Sequence, residues 1–565
     1  MHSSLHKIRD IVIRYAIFFI LAYALLIRVV GIDFGLPYLY NPDEHFWVNA
    51  SIRVLHGNLD PNWYGAGTFI IYSLAILYAI ILAIYFVYSF LIGNTHTLSE
   101  FKQMILQILQ SDPTLFYLPG RLLMLSFAVI SIYLVYVISK KLYNEQIGIL
   151  ASFCLAISPL HIKHSRFIRP DITTTMLVLF SIYFLIYFFD QRNQYKWLFL
   201  SSLFAGFSIA AKYTSGIIVV PILICSVICD IGRTEPQKQQ SPEKNNRIVF
   251  QQNKAKASLL TYLFDFIKKR TCLSKALLFI FIGYFVFAPF TIIKYSELVG
   301  AIIFEARGTH LGHERLAGIQ NHIWYLKNTF RYGIGGVFFE LFAAIGFLFV
   351  FLNKPRGRQL LFISFPTFFF LVIGCAKLRW TRWLIPVLPF EAILFGIGLY
   401  YSYQYLCKNT IIQRCRPQIV GIFLIALIAA SYPTLKHNAK DAERLTKIDT
   451  RTLAKDWVEK YLPPGSTIAY EHYSPRLHIR PKRKFNLINT SWKKIVSKPI
   501  STYKKMSVDY IIITSSFKDR FYKEPTKYPL QISRYEELKS IASLVKIFDN
   551  KNNPGPSIEI YTLKS

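Results

Sequence analysis

Asp43 and Glu44 stand side by side in the stretch Leu39-Tyr40-Asn41-Pro42-Asp43-Glu44-His45-Phe46-Trp47, about a dozen residues beyond the first long apolar run. A carboxylate within hydrogen-bond reach can take a proton from an attacking hydroxyl. Pro42 turns the chain before them, and the residues that follow read as helical. Asp43 therefore falls at a helix start, where the macrodipole favours an anion. A plain N-cap is the competing reading. A third acid, Asp171, lies in His164-Ser165-Arg166-Phe167-Ile168-Arg169-Pro170-Asp171, at the mouth of the next apolar run. Ionisable residues at membrane depth are costly and default to functional candidates. Pro170-Asp171 is also good helix-start chemistry.

Cations accompany these acids. Lys212 interrupts an otherwise apolar hairpin, Ile209-Ala210-Ala211-Lys212-Tyr213-Thr214, and Lys377, Arg379 and Arg382 crowd the turn before Trp383-Leu384-Ile385-Pro386. Lys or Arg near a helix end usually snorkels. Clustered Arg also suits bidentate phosphate recognition, and Lys212 at a hairpin tip is the hardest to read as snorkelling. The loop 294–333 holds Glu305, Arg307, His310, His313, Glu314 and Arg315. His310 and His313 share a helical face but have no defined third ligand, so substrate contact or a plain polar loop is the stronger reading and a divalent metal the weaker. No cofactor is expected: there is no Walker loop, no Rossmann glycine pattern and no His-Glu-x-x-His.

Composition decides what positions these residues. Of 565 residues, 53% are hydrophobic, 16% aromatic and only 17% charged. Many apolar runs reach the roughly 20 residues that cross a bilayer core. The chain reads as a polytopic α-helical membrane protein. Collagen-like, disordered and disulfide-scaffold classes are excluded. The net charge of +33 sits mainly in loops and a C-terminal tail. It points to anionic or phosphate-bearing lipids, since no basic, aromatic-interleaved nucleic-acid module is visible. Cysteines show no zinc spacing.

Apolar runs fall near 11–30, 66–92, 120–139, 146–160, 172–189, 197–211, 214–229, 276–291, 334–352, 359–375, 383–405 and 418–432. The positive-inside rule places Lys140-Lys141, the basic loop 230–275, Lys354–Arg358 and Lys408–Arg416 in the cytoplasm together only if 66–92 makes no net crossing. That run then lies at the interface, or dips and returns with Phe101–Leu109. About 11 transmembrane helices result, with the N-terminus cytoplasmic. Loop 31–119, the Arg166–Asp171 turn, Lys212, loop 294–333 and the Lys377–Arg382 turn share the outer side. The transmembrane domain is 1–432. The tail 433–565 alternates strand-like stretches (Ser466–Tyr470, Val508–Thr514, Leu544–Phe548, Ser557–Leu563) with helices at Thr450–Tyr461 and Tyr535–Ala542. It reads as a small soluble α/β domain on the same outer, exoplasmic side.

Asp43-Glu44, Arg166 through Arg169-Pro170-Asp171, the Ala211-Lys212-Tyr213-Thr214 hairpin and Arg382-Trp383-Leu384-Ile385-Pro386 occur here in an order that resembles one family. It is the polyprenyl-phosphate-sugar-dependent glycosyltransferases with the C-type fold, which includes protein O-mannosyltransferases and lipid A aminoarabinose transferases. The resemblance covers about 8–432. It implies a transferase at the outer face of the cell (inner or plasma) membrane, moving a sugar from a polyprenyl-phosphate donor to an unidentified hydroxyl acceptor on a lipid, polysaccharide or protein. It further implies Asp43 as general base, Glu44 in support, Asp171 as the second acid, and Lys212 and Arg382, with Arg379 and Arg169, at the donor phosphate. His310, His313 and Glu305 are weaker substrate contacts. The Lys-Pro pair of the aminoarabinose transferases is absent from Asn62-Trp63-Tyr64-Gly65-Ala66-Gly67, which removes one phosphate contact of that subgroup.

The chemistry suits the residues. Outside the cell there is no nucleotide-sugar pool, so the donor must be a lipid that has already crossed. Its phosphate leaves readily once cations neutralise it, and the sugar passes through an oxocarbenium-like state that a nearby anion favours. A single displacement, as the family implies, inverts the anomeric centre. The rival class, a transporter or flippase of a lipid-linked sugar, calls for ionisable residues near the midplane and often inverted repeats. Here the acids lie at one surface and no repeat is visible.

Overall fold

The apolar runs become helices because their backbone groups have no solvent partner in a bilayer and must pair internally. The computed structural model describes residues 2–191, 194–234, 271–307, 311, 319–353, 357–408, 416–479, 482–490 and 495–564. The first helices are α1 (His2–Val29), α2 (Glu44–Leu55), α3 (Thr68–Leu91), α4 (Leu98–Ser111), α5 (Thr114–Leu142) and α6 (Glu145–Ile157). They are followed by α7 (Pro159–Ser165), α8 (Pro170–Asp190), α9 (Tyr195–Ala211) and α10 (Val219–Thr234). Beyond the basic loop come α11 (Thr271–Phe287), α12 (Tyr295–Glu305), α13 (Ile319–Tyr332), α14 (Val337–Leu352), α15 (Gly357–Gly374), α16 (Leu388–Leu406) and α17 (Arg416–Leu445).

Among the described residues six helices are long and apolar enough to cross a membrane, or seven if the bent pair α6–α7 is one span. Four shorter apolar helices accompany them. Six or seven long spans with four shorter apolar helices stand where about eleven crossings were expected. α3 alone has the length and composition of a span, yet α4 folds back along it. Phe101 stands against Tyr85 and Phe86, and Ile105 and Leu109 join the cluster of Ile70, Leu74 and Tyr78.

Two helix pairs owe their closeness to glycine. A methyl added at Gly206 (α9) would fall on backbone atoms of α11, and one at Gly283 (α11) on the Leu203 carbonyl. Gly346 (α14) and Gly398 (α16) meet in the same reciprocal way, against Leu394 and Phe342. Small residues let membrane helices approach until backbone packing replaces the missing hydrophobic force.

The bend of 61° between α6 and α7 aims the Arg166–Asp171 segment at the site. Ser158-Pro159 causes it, because proline cannot donate into the preceding turn. The freed carbonyls find partners elsewhere. Fully buried Arg28 donates to Ala156 O (3.1 Å), and Asn438 Nδ2 donates to Ile157 O (2.7 Å). Ser158 Oγ donates to Gly333 O (2.6 Å). Asn438 belongs to α17, which runs on past Tyr432 to Leu445. The domain boundary expected at 432 thus lies inside a helix, since the apolar run ends there while helix-forming polar residues continue.

The tail contains α18 (Thr450–Tyr461), β1 (Thr467–Tyr470), β2 (Asn486–Asn489), α19 (Ile500–Lys505), β3 (Tyr510–Thr514), α20 (Ser515–Tyr522), α21 (Pro529–Ile541), β4 (Ser543–Phe548) and β5 (Ile558–Thr562). The sheet order is β2-β1-β3-β5-β4. β1 pairs parallel with β2 and β3, and β5 pairs antiparallel with β3 and β4. The tail is tied to the first loop. Arg451 Nη1 donates to Tyr40 O (3.2 Å), Tyr40 and Thr452 hydroxyls share a hydrogen bond of 2.8 Å, and Arg166 pairs with Asp441 at 3.1 Å.

Candidate active site

Asp43 is the N-cap of α2, but its carboxylate caps nothing. Asn41 Oδ1 instead accepts the Asp43 backbone N–H at 3.1 Å. That leaves the Asp43 side chain free to face the cations. Oδ2 lies 2.7 Å from Arg169 Nη2 and 4.0 Å from Arg382 Nη1, and the side chain keeps 32% exposure. A carboxylate that is ion-paired yet partly open can exchange its partner for an incoming ligand.

Asp171 occupies the first turn of α8 and is 1% exposed. Lys212 Nζ donates to its Oδ1 at 2.6 Å. Lys212 follows the last turn of α9 in extended conformation, and the 3-10 turn Tyr213–Ile218 turns the chain back. The Lys212 ammonium also faces the Trp383 ring at 5.9 Å. Arg382 is stationed on Trp380, 4.6 Å from the ring centre. The charges of Arg169, Asp171, Asp43 and Glu305 all act on it. Four separate stretches of chain therefore meet at one place, with the charges of both acids acting on Arg382.

The other expected residues are placed differently. Glu44 is fully buried and faces away from Asp43's cations. Arg121 grips it through Nε–Oε1 (2.9 Å) and Nη2–Oε2 (2.7 Å), and the Ile168 N–H donates to Oε1 at 3.0 Å. Arg121 also donates to Ile32 O and Phe34 O. Glu44 thus fastens the first loop and the 166–171 segment to α5, a positioning role. Arg379 stacks on Trp324 at 5.1 Å, toward α13, while Arg382 turns to the acids. Lys377 is exposed. His310 and His313 lie outside the described residues. Among the described residues no three His, Cys, Asp or Glu are grouped to hold a metal ion.

Sequence reasoning missed Arg121, His45 and the tail residues His472 and Arg476. A charge inside the apolar run 120–139 was the available signal for Arg121. The tail's Arg476 acts on both His45 and His472. Burial lowers both imidazoles, with Arg476 adding to the effect, and His472 falls to about 4. Nothing local in the sequence brings those two together.

Residues 101–240 match the family model described as dolichyl-phosphate-mannose-protein mannosyltransferase. That stretch holds Arg169, Asp171 and Lys212; Asp43 and Arg382 fall outside it. In three dimensions the chain is similar to ArnT from Cupriavidus metallidurans in the apo state (10% identity, 96% of this chain and 97% of that one, TM-score 0.50). The same ArnT bound to undecaprenyl phosphate gives 10% identity over 96% and 97%, with a TM-score of 0.49. AglB from Archaeoglobus fulgidus, in complex with an inhibitory peptide and a dolichol-phosphate, gives 11% identity over 96% and 74%, with a TM-score of 0.49. No curated protein matches the sequence. The chain has the C-type glycosyltransferase fold.

Proposed function

We propose that this protein is an integral-membrane glycosyltransferase that moves a sugar from a polyprenyl-phosphate donor to a hydroxyl acceptor at the outer face of the cell membrane. One observation carries the reading: Asp43 and Asp171 are each ion-paired, to Arg169 and Lys212, and the charges of both act on Arg382. Donor phosphate entering this cluster competes with Asp43 for Arg169 and Arg382. Their transfer to phosphate leaves the Asp43 carboxylate free at the moment the donor is bound.

The acceptor oxygen then bonds to the anomeric carbon as the carbon–oxygen bond to phosphate breaks. Its proton passes to Asp43, and the leaving phosphate's charge is held by Arg382, Arg169 and Lys212. A positioned base contributes about 10²–10⁴-fold, and fixed cations stabilise charge that develops only in the transition state. Asp171 holds Lys212 in place. The family match over 101–240 supports a lipid-phosphate sugar as donor. In this reading no resident cofactor takes part, the N-terminus is cytoplasmic and the tail is exoplasmic.

The test is purified protein in liposomes with a panel of polyprenyl-phosphate sugars, reading release of polyprenyl phosphate. Asp43→Asn is expected to lower release by about 10²–10⁴-fold while the protein still inserts and keeps its unfolding temperature. Substantial activity in that variant defeats the reading.

A further inference from the structure

The stretch from His164 to Asp171 leaves one titratable side chain without a task. Arg166 pairs with Asp441, Arg169 with Asp43, and Asp171 with Lys212. His164 stands in the last turn of α7 and is 6% exposed. α7 packs against α8, which carries Asp171, and against the 3-10 turn Thr381–Leu384, which carries Arg382. The charges of Arg169, Asp171, Lys163 and Arg382 all act on the imidazole. His164 therefore belongs to the acid–cation cluster.

Its hydrogen bonding is incomplete. Among the described residues His164 Nδ1 has no hydrogen-bond partner, and it is closed to solvent. His161, one turn earlier, also leaves a nitrogen unpaired, but its Nδ1 accepts from Arg28 Nη2 at 3.0 Å, and the charges acting on it are those of Arg28 and His164. His161 thus serves the frame, whereas His164 stands among the groups proposed for the donor phosphate. A buried polar atom without a partner is costly, and native proteins keep few of them. Lys163, Arg169 and Arg382 oppose a positive charge on the His164 ring, and Asp171, which would favour one, is held by Lys212. A neutral imidazole carries one N–H. Such a group can serve a developing oxyanion as a fixed donor without gaining or losing a proton.

From this arrangement we infer that His164 takes part in the transfer, its neutral imidazole donating a hydrogen bond through Nδ1 to the leaving phosphate. This rests on the glycosyltransferase reading and adds a residue to it. As the carbon–oxygen bond breaks, its electron pair stays on the phosphate oxygen, and the phosphate gains a second negative charge. The acceptor's proton goes to Asp43, so His164 keeps its own. Hydrogen bonds to charged acceptors are the strong ones. The bond therefore tightens as that charge develops, and it favours the transition state and the product over the bound donor.

The experiment uses the full-length protein in liposomes and compares His164→Phe, which removes the donor, with His164→Asn, whose amide nitrogen can stand where Nδ1 stands. In the first arm, release of polyprenyl phosphate is followed against donor concentration, with whichever sugar of the panel the wild type accepts. His164→Phe is expected to lower kcat about 10–100-fold, with donor KM changed less than about threefold, as for the loss of one charge-assisted hydrogen bond made mainly in the transition state. His164→Asn is expected to recover most of that loss. In the second arm, undecaprenyl phosphate is titrated and its phosphorus resonance followed at pH 8 and pH 5, on either side of a second phosphate ionisation near about 6. His164→Phe is expected to weaken binding about tenfold or more at pH 8 and much less at pH 5. A kcat that His164→Phe leaves intact overturns the inference and leaves the transferase reading standing. So do equal losses in donor KM and product affinity, and so does a lowered thermal midpoint in both variants, which marks a packing role. Release from no donor by the wild type defeats the transferase reading instead. The second arm then decides the phosphate hydrogen bond by itself: a loss at pH 8 in His164→Phe supports it, and an unchanged affinity overturns it.

Discussion

Arg169 Nη2 lies 2.7 Å from Asp43 Oδ2, so the proposed base is held by a cation proposed for the donor phosphate. The two groups act as a unit. Arg169→Gln is expected to lower kcat about 100-fold and raise donor KM, whereas Asp43→Asn/Arg169→Gln falls no further than Asp43→Asn alone. Residues that act together are strongly non-additive in this way. Steady-state kinetics on the three variants check it; additive losses separate the two roles.

Glu44 and Arg121 make a different prediction from their neighbour Asp43. Both side chains are fully buried and joined at 2.9 and 2.7 Å. Removing one partner strands the other's charge, at a cost of about 3–5 kcal/mol. Glu44→Gln and Arg121→Met should each lower the thermal midpoint in detergent and reduce activity through lost folding. Glu44→Leu/Arg121→Met should recover much of the stability. Asp43→Asn leaves the midpoint unchanged, which separates a positioning carboxylate from a chemical one.

That contrast also marks what was legible in the sequence. Long apolar runs and short alternating strands are local patterns, so most spans, α18 and strands β1, β3, β4 and β5 could be read directly. The acids and cations could be named because charge beside an apolar run is conspicuous. Glu44's role was not readable, since its partner lies 77 residues away and adjacency to Asp43 suggested a shared task. Arg379 and Arg382 look equivalent in one basic turn, yet Trp324 claims one and Trp380 the other. β2 is a four-residue edge strand reading Asn-Leu-Ile-Asn, too short and polar at its ends to announce itself. The contacts of Tyr40 with Arg451 and Thr452 depend on how the tail seats on the first loop, which no spacing encodes.

The seat of the tail should loosen in acid. His472 has its imidazole lowered to about 4 by burial, Arg476, His45 and Arg520, in that order; the ordinary value is about 6.5. Between these values the unfolded or undocked state binds the extra proton. Stability from the neutral ring is therefore complete above about pH 6.5 and is lost as pH falls toward 4. His45 is shifted in the same direction and steepens the loss. Hydrogen exchange in residues 38–46 and 470–476 should accelerate across that window, and His472→Gln should flatten the response. An unchanged profile in the variant assigns the acid effect elsewhere.

Helix packing gives the last prediction, independent of the chemistry. Gly346 and Gly398 bring α14 and α16 so close that an added methyl at either falls on a carbonyl of the opposite helix. Gly398→Ala must therefore push the two helices apart, and overpacking of this kind costs about 1–3 kcal/mol. Gly421 in α17 has no atom within 4 Å of the same added methyl. Gly421→Ala relieves only the helix-propensity deficit of glycine and should be neutral or stabilising by up to about 1 kcal/mol. The pair is compared by thermal unfolding in detergent. The deficit in Gly398→Ala should persist in an Asp43→Asn background, because α14 and α16 contribute no side chain to the acid–cation cluster and their closeness matters only to the frame that carries Arg382.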